Sequence, residues 1–209
     1  MNFPTGVANV EIIPETAKLG LNSARPDDIF HLLTAVTQDP ARAQDITAAI
    51  VDWRTGNPNA LTLFDQYYLS LTPSFRARHA SFEQTEELLL VRGVTSDLFY
   101  GSATHDESGR LIPQPGLRDC LSVYGSDSMI DINHAEAPVL AAVGLPPDVI
   151  TQIIAHRNVA PYRRHEELNP LIQFGGTGGR RLTIGGNSIF TFRSTGRLRL
   201  PDGRLSDMS

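Results

Sequence analysis

Apolar positions change their period several times along the chain. Val7 to Ile13 alternates loosely, and Lys18 to Asn22 sets Leu19 and Leu21 between small or polar neighbours, so both predict short strands with Pro14 as the turn between them. From Pro26 the spacing becomes helical. Ile29, Leu32, Leu33 and Val36 line one face, and Pro26-Asp27-Asp28 suits a first turn. Ala43 to Trp53 predicts a second helix through Ile46, Ala49, Ile50 and Trp53. A turn over Thr55 to Asn59 follows, and then a third helix after Ser81, its expected N-cap, with Leu88, Leu89 and Val91 on the apolar side and Gly93 at the end.

Ser102 to Gly116, polar and holding two prolines, predicts a linker or long loop. Leu121 to Tyr124 and Met129 to Ile132 return to strand character around Gly125-Ser-Asp-Ser128. Three short helices are expected at Ala137 to Val143, Pro147 to Arg157 and His165 to Ile172. After a flexible Gly175 to Gly179, Leu182 to Ile184 and Ile189 to Phe192 predict a β-hairpin around Gly185-Gly-Asn-Ser188, and a loose tail past Pro201. The early strands, Leu121 to Tyr124 and this hairpin are expected in one antiparallel sheet, from which the helical stretch projects.

Composition narrows the function classes. The 209 residues carry a formal charge of -5, which disfavours extended contact with a phosphate backbone. One cysteine, Cys120, excludes an internal disulfide and a multi-cysteine zinc site. No run of 18 apolar residues is present.

The most informative pattern is a repeat. Leu19-Gly-Leu-Asn22-Ser-Ala24 recurs as Ile130-Asp-Ile-Asn133-His-Ala135, and Ala49-Ile-Val-Asp-Trp-Arg54 as Gln152-Ile-Ile-Ala-His-Arg157. Phe82 with Glu86-Glu87-Leu88 recurs as Tyr162 with Glu166-Glu167-Leu168. Three blocks in one order indicate a duplicated strand-to-helix unit. Asn22 and Asn133 fit structural caps where extended chain enters a helix, and the glutamate pairs fit helix starts.

Catalytic signatures such as HExxH, GxSxG, Walker A and CxxC are missing, so no catalytic or cofactor-binding residue is assigned. His105-Asp106-Glu107, Asp127 and Asp131 offer ligands for calcium but lack EF-hand spacing. His134 and His156 are expected as packed or surface residues, Trp53 as core and Cys120 as an inert, buried or half-buried thiol. Ala137 to Arg157, joined through Gly144-Leu-Pro-Pro147, has the outline of a helix-hairpin-helix, although its prolines remove amide donors where a DNA phosphate would dock. A DNA-binding protein of the competence type is therefore the alternative reading.

The blocks Leu19 to Ala24, Ala48 to Arg54, Tyr67-Tyr-Leu69, Ser81 to Leu88 with Val91-Arg-Gly93, and Leu121 to Gly125 followed by Ile130 to Asn133 resemble, in order, general secretion pathway protein K, the type II secretion minor pseudopilin K family. The resemblance spans about Val7 to Phe192. It implies an α+β fold: a small antiparallel pseudopilin-type β-sheet with a large inserted helical domain made of two SAM-like/helix-hairpin-helix units. The implied segments are 1–25 for the first β-strands, 26–118 and 119–175 for the two helical units, and 176–209 for a C-terminal β-hairpin and tail. It also implies a non-enzymatic minor pseudopilin that caps the pseudopilus tip with I and J type minor pseudopilins. The chain would be the periplasmic domain of an inner-membrane-anchored protein in a Gram-negative bacterium, lacking the family's hydrophobic N-terminal helix. Calcium binding in the helical domain is implied for the family, with no ligand position transferable.

Overall fold

The computed structural model describes residues 1–56, 61–105, 109, 111–126, 128–186 and 189–206. The chain opens with β1 (Asn2–Phe3), β2 (Gly6–Pro14) and, after one 3₁₀ turn, β3 (Leu19–Gly20). Helices α1 (Pro26–Thr37) and α2 (Pro40–Arg54) follow as expected. Proline begins each helix, where a missing amide costs nothing, and Asp39 caps α2 by accepting from Ala41 and Arg42 N–H. Helix α3 (Leu63–Leu69) was not expected; its signal is a capping box, Thr62 and Asp65 each accepting the other's backbone N–H.

The third expected helix is instead a six-residue 3₁₀ turn, Thr85–Leu90. Leu88 and Val91, the buried pair, are three residues apart, a spacing that three residues per turn keeps on one side. Ser81 does not cap it; Glu87 reaches back to accept from the N–H groups of Glu83 and Gln84. Helix α4 (Ser96–Tyr100) leads into β4 (Ser102–His105) and β5 (Leu111–Gln114), an exposed antiparallel pair where a loop was expected. A Cβ on Gly116 would sit 2.3 Å from the Gly101 nitrogen, so the neck of this pair closes only with glycine.

Next come α5 (Leu117–Cys120), β6 (Leu121–Ser122), β7 (Ile130–Asp131), α6 (Ala137–Ala142) and α7 (Pro147–Val159). A 3₁₀ turn then leads to α8 (Asn169–Phe174), α9 (Gly176–Gly179), β8 (Leu182–Thr183) and β9 (Phe190–Leu198). The expected flexible glycine segment is thus a helical turn packed on α8.

The single antiparallel sheet expected from sequence is corrected in two respects. Only β1, β2 and β9 form it, in that order. β3 pairs with β6 and β7 with β8 as separate parallel two-residue ladders, all four strands buried except for the half-buried Thr183, the setting parallel pairing favours. The final β-hairpin does not form either. Thr183 O accepts Ile132 N–H and Gly185 N–H donates to Asp131, which ties β8 to β7, whereas Ile189 O accepts Glu15 N–H at the start of β9. Asn187 and Ser188, like Asn57 to Asn59, lie outside the described residues. The tail past Pro201, expected to be loose, folds back so that Ser206 bonds the N–H and C=O of Leu198.

The buried core runs continuously from Leu19 through α1, α2, α6 and α7 to Leu182, and α1 packs against both α2 and α6.

Candidate functional site

The duplicated sequence blocks build the same device twice. In the first copy Asn22 Nδ2 donates to Phe82 O at 3.0 Å and Phe82 N–H donates to Asn22 Oδ1 at 2.8 Å. In the second, Asn133 Nδ2 donates to Tyr162 O at 2.9 Å and Tyr162 N–H to Asn133 Oδ1 at 2.8 Å. Each side chain thus imitates one rung of a strand ladder across a long chain separation. Asn22 and Asn133 are not helix caps; the caps of α1 and α6 are Arg25 and Glu136, neither of which makes a side-chain capping bond.

An arginine closes each latch from the end of the following long helix. Arg54 donates to Leu21 O and Ala24 O, and Arg157 to Ile132 O and Ala135 O. Both are half-buried, and burial lowers both guanidinium pKa values from the ordinary one. Trp53, in the core, stacks on Phe82 at 6.0 Å; its counterpart His156 lies 4.4 Å from Tyr162. The residue before each arginine is thereby the aromatic lid of its latch.

The first copy carries an extra charged cluster. His79 Nε2 meets buried Asp65 Oδ2 at 2.9 Å, while Nδ1 faces Asp52 O at 3.2 Å. Burial opposes charge on the ring, but the Asp65 and Asp52 contacts outweigh it and raise the His79 pKa. Burial likewise works against ionised Asp65, yet the Thr62 N–H and His79 hold its carboxyl below the usual range.

The other candidate residues disperse. Asp131 is buried and already accepts from Asn133 and Gly185 N–H and contacts His134. His105 sits exposed on β4; Asp106, Glu107 and Asp127 lie outside the described residues. Among the described residues no group of three or more His, Cys, Asp and Glu is placed to hold a metal ion. Burial pushes the Cys120 thiol far up, which keeps it protonated. The α6–α7 turn has few amides to offer a phosphate: Gly144 and Leu145 N–H bond Ala141 O and Leu140 O, and Pro146 and Pro147 have none, which leaves those of Asp148 and Val149 in the first turn of α7. Gly178 also packs on this hairpin, where an added Cβ would lie 2.7 Å from Leu145 N.

Two surface features remain. A cleft of about 1100 Å³ lies between the inner face of the sheet and the helical body, bordered by Glu15, Lys18, Tyr100, Asp119 and Arg193. On the outer face of the sheet, Phe190, Phe192, Val10, Ile12 and Leu198 are all exposed. Sequence reasoning missed this face because alternation in β2 reads equally well as a buried side.

Residues 13–101 match the family model described as type II secretion system (T2SS), protein K. Comparison with curated proteins gives no match. The fold is similar to the crystal structure of the GspK-GspI-GspJ complex from the enterotoxigenic Escherichia coli Type 2 Secretion System, with a TM-score of 0.57 and 14% identity over 99% of this chain and 79% of that one.

Proposed function

From the premise that this chain, through residues 13–101, is a member of the type II secretion system protein K family, we propose that it serves as a minor pseudopilin at the tip of the pseudopilus. The observation that carries this reading is the family match over β3, α1 and α2, the elements that build the first latch. The likeness of fold to the GspK-GspI-GspJ complex supports the choice of partners, which are I and J type minor pseudopilins. The two latched helical units, 26–118 and 119–175, supply the bulk that prevents a further subunit from stacking, a steric role that requires no catalysis. The chain works on the periplasmic side of the inner membrane, held there by a hydrophobic segment outside the described fold; no helix among the described residues is long and apolar enough to cross a membrane.

The test is co-purification with the I and J pseudopilins from the same genome. A stable complex is the expected result. If neither subunit is retained at micromolar concentration, the tip-subunit reading fails.

A further inference from the structure

The antiparallel sheet ends on an unpaired edge. Arg199 N–H donates to Thr5 O at one end of the β2–β9 ladder, and Glu15 N–H donates to Ile189 O at the other. Both bonds join odd-numbered residues of the last segment to β2, so the inward backbone groups of β9 are odd and the outward ones are Phe190, Phe192, Ser194, Gly196 and Leu198. The tail confirms this parity by occupying Leu198, whose N–H and C=O both bond Ser206. From Phe190 to Gly196 the outward N–H and C=O groups have no partner among the described residues. An exposed row of this kind is a template for another strand.

We propose that the outer edge of β9 receives an extended segment of another polypeptide, added as a fourth strand. Its chemistry follows from the two faces of β9. Even positions present Phe190 and Phe192 on the apolar outer face, and odd positions present Arg193 and Arg197 on the other. Arg193 is already paired with Asp119 and Glu11, whereas Arg197 has no ion pair among the described residues. The incoming strand is therefore apolar on one side and carboxylate-bearing opposite Arg197. A second copy of this chain fits poorly. Antiparallel pairing of two β9 strands over more than half of their length brings an arginine, Arg193 or Arg197, of one copy opposite or diagonal to an arginine of the other, and like charges there are unfavourable.

This inference rests on edge geometry and not on the family reading, and its test uses a probe of defined composition. A short peptide alternating valine and glutamate is titrated into the chain while amide hydrogen exchange is followed. Exchange at Phe192, Ser194 and Gly196 slows, and exchange at Thr191 and Arg193, already bonded to β2, stays unchanged. The valine–lysine counterpart binds at least roughly tenfold more weakly. Ser194→Pro removes one outward amide and leaves the β2 ladder intact, as edge positions allow, and weakens peptide binding at least about tenfold, while Ser194→Ala binds like wild type. Unchanged exchange at the three outward amides, or equal binding by a folded Ser194→Pro protein, overturns the proposal. Gly196→Pro replaces Ser194→Pro if the latter does not fold.

Discussion

At the scale of single residues, the fold depends on polar side chains that serve distant backbone. Removing Asn22 or Asn133 leaves one N–H and one C=O without partners in a half-buried setting. Asn22→Ala and Asn133→Ala should each lower the unfolding free energy by about 2–3 kcal/mol in urea titrations. Asn22→Asp should also destabilise, because a carboxylate accepts from Phe82 N–H but cannot donate to Phe82 O. His79 adds a pH dependence. Its pKa is raised in the folded chain, so its contribution is complete below the unfolded imidazole value of about 6.5 and is lost as pH rises through the folded one. Asp65 is shifted down, so its contribution is lost as acid titrates through the folded carboxyl. Melting temperature should therefore fall from pH 6 toward pH 8, and His79→Gln should flatten that slope. Both asparagines were legible in the sequence as repeated residues. Their partners were not, because they are backbone atoms of Phe82 and Tyr162, and backbone carries no letter in a sequence.

At the scale of elements, helical periodicity located α1, α2, α6 and α7 within a few residues, because each buries apolar side chains against the core and carries proline in its first two positions. Shorter elements escaped. The β4–β5 pair has no buried face, so alternation left no trace; its pairing is written only in the close approach of Gly101 and Gly116. The glycines of α9 read as flexibility when they in fact permit contact. A Cβ on Gly178 would lie 2.7–2.9 Å from backbone atoms of Val143 to Leu145, so Gly178→Ala should push α9 off the α6–α7 hairpin. A loss of about 2–3 kcal/mol in thermal or urea unfolding is expected, within the range of overpacked sites, against a slight gain at an unobstructed helix position.

At the scale of the whole molecule, the two latched units share one core and one buried charge. Asp28 of α1 accepts bidentate bonds from Arg181 beside β8, both at 3.0 Å, and is also paired with Arg25. Burial disfavours its ionised form, but the two guanidinium groups outweigh it and hold the carboxyl below its usual range. Asp28→Ala should cost about 2–3 kcal/mol, since it removes the bidentate charge-assisted bonds from the largely buried Arg181 guanidinium, whereas Arg25→Ala, at an exposed side chain, should cost under about 1 kcal/mol. With the units joined in this way, unfolding followed by Trp53 fluorescence, which reports the first unit, should coincide with unfolding followed by far-ultraviolet circular dichroism. The long helices, the duplication and the α+β class follow from residue order alone, because periodicity and repetition are properties of that order. Which strands pair was decided only by tertiary structure. β3 and β6 are two residues long and buried on both sides, so they carry no register of their own, and the ends of the chain meet as β2 and β9 because that antiparallel ladder aligns nine residues of each strand in one register.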